Sequence, residues 1–407
     1  MSPQLQENHV LNGLRILELS APATMLAGQM LADLGADVVA IEPPGGAAGR
    51  RLGPFLDGRI GLDRSLSWHA LNRNKRSLTL DLDGADGQDL LHSLARQADA
   101  VIEAMPARCA HLADDGLVHC VVRPFSARGP KSGYAWTDRT LVAAAGVLLA
   151  TGDADRAPLF LPVPQAMLEA GCEAAIGVLA ALAARTRDGE GQRVEVSMRA
   201  AAMMSAFSLP YYADTPEQPP RRGQARRSVA DVDLPSFLPC RDGYVQISIA
   251  FGGFGGITAR MAAWAVADGR LDAAIGQVDW TRFPGDDLAL CADQLRQLIE
   301  GVRAAVAARS KDEVGAAARQ YGFFAAPLMD MADIAAFDQY RERGLWLRQP
   351  LVDGVTVDAP AQVVRSDSFA TELRRPAPRL SEHTQELLCE LGLSSDEIQA
   401  LHTHAIV

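Results

Sequence analysis

Residues 14–19 read LRILEL, an apolar run too short for a helix, and predict a first strand. A helical pattern over 25–34 and an apolar strand at 38–41 follow, so the chain opens as a βαβ unit. Gly35 stands where a helix C-cap is expected, and the turn through Ala36 and Asp37 has the length usual in α/β units. Further strands are predicted at 78–82, 100–102 and 118–122, with a helix over 87–98. An alanine-rich pattern predicts a long helix over 165–185, and Asp188, Gly189 and Gly191 then turn into a strand at 193–197. Such alternation implies a mostly parallel sheet covered by helices.

Punctuation divides the chain. The Pro-, Arg- and Gln-rich stretch 215–228 reads as an exposed linker closing a first part of a large domain, 1–214. Residues 229–329 carry their own strand at 244–249 and helices at 259–266 and 294–309, and form the expected small domain. From 330 to 407 the chain is expected to return to the large domain, through a helix at 334–343 and a last amphipathic helix at 382–391.

Length and composition fit this picture. A chain of 407 residues exceeds what one core usually supports, and 48% hydrophobic with 22% charged residues is a globular balance. A net charge of −11 argues against a broad nucleic-acid or anionic-membrane surface, while leaving room for a local basic pocket. The longest apolar runs fall short of the ~18 residues of a membrane span, so no membrane segment is expected. Six cysteines without C-x-x-C spacing read as reduced thiols, and a cytoplasmic location is expected.

The first βα turn reads Ser20, Ala21, Pro22, Ala23, Thr24, without the G-x-G-x-x-G that a dinucleotide pyrophosphate needs. Glu42 could mimic a ribose-binding acid, but a strand-end carboxylate is the simpler reading. P-loop, G-x-S-x-G and H-E-x-x-H signatures do not occur, no metal is expected, and His402 and His404 read as solvated tail residues. Asn72, Asn74, Lys75 and Arg76 place two cations beside two amides just before a strand. That cluster suits phosphate oxygens, although a solvated basic turn fits the residues equally well.

Five blocks together resemble the class III CoA-transferases, a family that includes formyl-CoA and carnitine CoA-transferases and the α-methylacyl-CoA racemases. They are residues 11–20, 27–45 (AGQMLADLGADVVAIEPPG), 72–82 (NRNKRSLTLDL), 177–197 and 376–393. The resemblance implies a Rossmann-like large domain built from the N- and C-terminal parts, a smaller middle domain and an interlocked dimer. It also implies coenzyme A and acyl-CoA as ligands, with the cluster at Asn72, Asn74, Lys75 and Arg76 on a CoA phosphate or adenine.

Family chemistry rests on an aspartate in a D-x-x-A-G block, whose carboxylate attacks the acyl-CoA thioester to give a mixed anhydride that the CoA thiolate then opens. Here the block reads Met167, Leu168, Glu169, Ala170, Gly171, and a neutral thioether cannot form the anhydride. Glu169 lies two residues on, off the face of Met167 if the helix has already begun. Glu103, Ala104 and Met105 stand where the family often has E-N-F, so the CoA contact there is expected to be altered. The glycine-dense stretch 251–256 matches a mobile active-site loop of some members, and equally a plain flexible turn. The resemblance thus implies a non-catalytic subunit that pairs with a homologous, aspartate-bearing chain, as in the two-subunit succinyl-CoA:benzylsuccinate CoA-transferase. The alternatives are a homodimeric transferase using Glu169, or a CoA-thioester racemase or lyase with His69 or His119 as its base.

Overall fold

The computed structural model describes residues 9–104, 108–109, 112, 116–153, 155–206, 227–360, 366–369 and 372–407. The chain divides into two compact units. The first comprises Met1–Thr151, Leu159–Pro219 and Gln339–Val407, and the second Gly152–Pro158 and Pro220–Asp338.

The first unit is built on a six-stranded parallel sheet. Its elements are β1 (Arg15–Leu19), α1 (Met25–Asp33), β2 (Asp37–Glu42), α2 (Leu66–Leu71), β3 (Arg76–Thr79), α3 (Ala85–Ala95), β4 (Ala100–Ala104), β5 (Val118–Arg123), α4 (Asp138–Ala144), α5 (Ala166–Asp188), β6 (Arg193–Ser197) and α6 (Met198–Met204). The strand order is β3-β2-β1-β4-β5-β6. Alternation along each strand feeds two cores. Ile16, Val38, Ile102 and Cys120 face α1, α4, α5 and α6, while Leu17, Val39 and Val101 face α3 and the C-terminal helices. Burial on both faces explains why these strands read as continuous apolar runs. Helix α5 is long and apolar enough to cross a membrane by length and composition, but Ala170, Ala174, Val178 and Leu182 are buried in the first of these cores.

Three strands carry a glutamate at or near their carboxyl ends that is wholly buried, and each is met by a base from elsewhere in the chain: Glu18 by Lys75, Glu42 by Arg50 and Glu103 by His119. A buried carboxylate persists only when paired, so these contacts fix Lys75 against β1, Arg50 against β2 and β5 against β4.

The second unit contains a hairpin, β7 (Arg227–Val229) and β8 (Val232–Leu234), and an antiparallel sheet of β9 (Phe237–Cys240), β10 (Gly243–Ile247) and β11 (Ala325–Pro327) in the order β11-β10-β9. Helices α7 (Gly255–Ala267), α8 (Ala273–Gly276), α9 (Leu288–Ala307) and α10 (Lys311–Tyr321) enclose its core with Val245, Leu295 and Trp264. Most of the linker expected at 215–228 lies outside the described residues, and its last two begin β7.

The single helix expected at 334–343 is two, α11 (Met331–Ala336) and α12 (Asp338–Glu342). Asp330 opens the first with a capping box, and the extended backbone of Phe337 separates them. A hairpin of β12 (Trp346–Pro350) and β13 (Thr356–Pro360) follows, then α13 (Thr384–Glu390) and α14 (Ser395–Thr403). Helix α14 was not anticipated, although Ser394 and Glu397 form the capping box that signals it.

The C-terminal segment closes the β3 edge of the sheet. His383 N donates to Ser77 O at 3.0 Å, Thr79 N to Thr384 Oγ1 at 3.2 Å and Asp81 N to Ile406 O at 2.7 Å. At the opposite, amino-terminal end, Arg76 bridges Asp37, Glu386 and Glu390. Burial alone would raise Asp37, but Arg76 and Arg15 outweigh it and hold its carboxyl below the ordinary value; Arg76 likewise lowers Glu390. Carboxyls depressed in the folded state contribute stability that is present above their unfolded values and lost as pH falls through the folded ones. Acid titration should therefore destabilise the first unit below about pH 4. Asp37→Asn should flatten that limb in pH-dependent thermal melts; an unchanged acid limb would exclude Asp37 as a contributor.

Candidate functional site

Beyond strand β1 the chain order of the sheet reverses, because β2 lies on one side of β1 and β4 on the other. A reversal of this kind leaves a crevice at the carboxyl ends of the strands. A crevice of about 220 Å³ is found there, lined by Leu19, Ser20 and Ala21 at the end of β1, Ile41 to Pro43 at the end of β2, Leu80 to Asp83 after β3, Ala104 at the end of β4 and Arg108 beyond it. Its walls are mainly aliphatic, and Arg108 supplies the positive charge of the lining. The Ser20 hydroxyl is buried without a hydrogen-bond partner. An orphaned hydroxyl in an apolar slot is a feature that a bound ligand would satisfy.

Glu42 is not free for a ribose. Arg50 donates to it twice, at 2.6 and 2.8 Å, Ser77 Oγ donates at 2.8 Å and Ala47 N at 3.0 Å.

The cluster expected on phosphate is arranged differently from that expectation. Lys75 Nζ donates to Glu18 Oε2 at 2.5 Å, to Asn72 Oδ1 at 2.7 Å and to the Met25 carbonyl at 2.8 Å, which uses all three of its hydrogens. Burial lowers its pKa, against the pull of Glu18. Asn72 Nδ2 donates to the Trp68 carbonyl. Asn74, at a φ of 65°, accepts the amides of Arg374 and Arg375 and donates to Asp33. Arg76 is held by Asp37, Glu386 and Glu390, at the end of the sheet opposite the crevice. Its own pKa is raised, Glu390 and Asp37 overcoming burial. None of these four side chains lines the crevice. The compact donor set read from 72–76 is real, but its acceptors belong to the chain.

At the end of β4, Ala104 lines the crevice, and Met105 lies outside the described residues. Glu103 is wholly buried. It accepts the Arg108 amide at 2.6 Å, the Cys109 amide at 3.1 Å and a contact from His119 Nε2 at 2.7 Å. Burial would raise its pKa, but His119 and the two amides reverse the shift and lower it.

Helix α5 runs antiparallel to the strands it joins, so its N-terminus lies at the carboxyl edge of the sheet, as the crevice does. The helix begins at Ala166, placing Met167 in its first turn. Gly171 fits because a Cβ there would lie 2.9 Å from Leu26 Cβ and 3.4 Å from the Ala27 amide in α1. Gly171→Val should thus destabilise the first unit by about 1–3 kcal/mol through overpacking. Urea melts test this, and an unchanged midpoint would contradict the close approach.

Asp138, at the start of α4, was not singled out from the sequence. Its two oxygens accept the Gln165 amide at 3.0 Å and the Met167 amide at 2.9 Å, capping α5 from outside. Glu169 accepts a hydrogen bond from Ser205 just beyond α6, while its second oxygen is buried without a partner. Burial raises its pKa, with help from Asp138 and against Ser205. Three groups thus stand near the expected nucleophile position: an uncharged thioether, a carboxylate spent on helix amides, and a carboxyl turned toward α6.

Each of the two histidines considered as bases is engaged through Nε2, while Nδ1 of His69 is buried without a partner. His69 contacts the Asp63 carbonyl through Nε2 at 2.9 Å, and burial lowers its pKa. His119 pairs with Glu103 on the face of the sheet opposite α5, since Ile102 and Cys120 take the α5 side. In the second unit, Phe251 stacks on Phe283 at 4.8 Å and Gly255 packs against the Trp280 carbonyl, so the glycine stretch 251–256 is anchored at both ends. Among the described residues no His, Cys, Asp or Glu cluster of metal-binding geometry occurs.

The profile of CoA-transferase family III matches residues 11–384. The chain is 28% identical over 405 residues to the succinyl-CoA:(R)-benzylsuccinate CoA-transferase subunit BbsE of Thauera aromatica, covering 95% of each protein. It is 27% identical over 399 residues to the succinate–glutarate CoA-transferase of Agrobacterium fabrum, covering 94% of this chain and 95% of that one. A CaiB/BaiF family protein from Brucella suis superposes with a TM-score of 0.78 at 26% identity, over 95% of this chain and 100% of that one.

Proposed function

Since this chain belongs to CoA-transferase family III, we propose that it is the non-catalytic subunit of a CoA-transferase, working beside a homologous chain that supplies the aspartate. The observation that carries this reading is Met167 in the first turn of α5: of the two carboxyls described near it, Asp138 is bound through both oxygens and Glu169 is turned toward Ser205 through one of its own. That the relative from Thauera aromatica is itself called a subunit supports the heteromer.

Coenzyme A enters as substrate. The crevice at the ends of β1 to β4 suits its adenosine end: aliphatic side chains for the base, the Ser20 hydroxyl as a hydrogen-bonding group and Arg108 for phosphate oxygens. The buried cluster of Asn72, Asn74, Lys75 and Arg76 serves as scaffold for that end of the sheet. On the partner, the aspartate would attack the thioester carbonyl and release CoA thiolate. The thiolate would open the resulting anhydride to an aspartyl-CoA thioester and the free acid, and a second acid would reverse both steps. We place the protein in the cytoplasm, where scattered thiols stay reduced.

The test is co-expression with a homologue that retains D-x-x-A-G, followed by CoA-transfer assays of each chain alone and of the pair. Activity confined to the pair, with hydroxylamine or borohydride trapping an adduct on the partner's aspartate, is the expected result. An adduct on Glu169 of this chain would sink the reading in favour of a homodimeric transferase.

A further inference from the structure

Glu103 is a costly residue to place wholly inside a sheet, and its carboxylate is spent on one task. One oxygen gathers the consecutive amides of Arg108 and Cys109, and the other meets His119 Nε2 from β5. The backbone at Arg108 and Cys109 is thereby tied to β4 and β5. Arg108, the next group outward, reaches the lip of the crevice, where its guanidinium lies 3.3 Å from the Leu82 carbonyl and 2.5 Å from Asp83. The Arg108 side chain is 42% exposed and that of Asp83 80%, so this ion pair is open to water and weakly held. A guanidinium anchored through its backbone, with an exchangeable carboxylate partner, can trade that carboxylate for a phosphate.

We infer that Glu103, clamped by His119, is a positioning residue that sets Arg108 to grip the phosphate groups of CoA at the crevice mouth, and that Asp83 occupies Arg108 when no ligand is bound. The inference rests on the assignment of the crevice to CoA. It also gives the Glu103 and His119 pair a purpose other than acid–base chemistry.

Calorimetric titration of CoA into the full chain tests it. Arg108→Ala should weaken binding about tenfold, with partial recovery in Arg108→Lys. Asp83→Asn should tighten binding, because it removes both the competitor for Arg108 and a negative charge facing the phosphates. Glu103→Gln should weaken binding when Arg108 is present and add nothing to Arg108→Ala, since coupled residues are not additive. Should Glu103→Gln fail to fold, His119→Gln carries the same double-variant test. An unchanged affinity in Arg108→Ala would overturn the inference while leaving the crevice assigned to CoA, and equal losses with and without Arg108 would reduce Glu103 to a merely structural role. Absence of CoA binding by the unaltered chain would remove crevice and inference together.

Discussion

Met167→Asp should give the homogeneous chain a CoA-transfer activity that the unaltered chain lacks. A thioether offers no anionic oxygen to a thioester carbonyl, whereas a correctly held carboxylate gains the large rate advantage of an intramolecular nucleophile. The gain should be partial. The amides at the start of α5 that could stabilise a new charge are already taken by Asp138, at 3.0 Å from Gln165 and 2.9 Å from Met167. A second carboxylate beside Asp138 should titrate above the ordinary aspartate value, because like charges disfavour joint ionisation. Transfer by Met167→Asp should consequently rise with pH across the range where that group ionises, and Met167→Asn should be inert. Measurable transfer by the unaltered chain, abolished in Glu169→Gln, would contradict the assignment of catalysis to a partner.

Lys75→Ala should destabilise the first unit by about 3–5 kcal/mol, by leaving a buried carboxylate without its counter-charge. Glu18 and Lys75 are both fully buried at 2.5 Å, and Thr24 Oγ1 donates to the other Glu18 oxygen at 3.0 Å. Gly28 admits the pair beneath α1, since a Cβ there would lie 2.0 Å from Glu18 Oε2 and 3.0 Å from Lys75 Nζ. Glu18→Gln combined with Lys75→Met should recover most of the loss, because removing both charges also removes their desolvation. Hydrogen exchange at the amides of β1 and β2 is the suitable measure, as a two-unit chain need not unfold in one step. A small loss in Lys75→Ala, accompanied by weaker CoA binding, would instead return Lys75 to the phosphate.

The strands were legible because both faces of the sheet are buried, which writes apolar runs such as 14–19 and 118–122 into the sequence. The partners of the buried charges were not, because no fixed spacing joins them: Arg50 is 8 residues from Glu42, His119 is 16 from Glu103 and Lys75 is 57 from Glu18. The basic turn at Lys75 and Arg76 therefore looked free for phosphate. A signal was present in the three glutamates at 18, 42 and 103, each set in an apolar strand where only a paired acid is tolerated. Asp138 escaped notice because its contacts with 165 and 167 span a loop and join two helices. Helix α14 could have been read from Ser394 and Glu397, and α11 from Asp330 and Asp333. The absence of an aspartate at 167 was legible outright, since it depends on the spacing to Gly171 alone.

Synthesis from the N-terminus reaches the C-terminal closure of the β3 edge last. Strand β3 and the turn after it wait for His383, Thr384 and Ile406, and the indole of Trp68 waits for the Pro378 carbonyl. Nearly all of the second unit, Pro220–Asp338, has left the ribosome before those residues are made. It can fold while the earlier sheet still has an open edge and a buried-charge network under assembly. Until release, that edge is exposed to other chains, so a nascent homologue translated nearby meets this protein while its first unit is still unfinished.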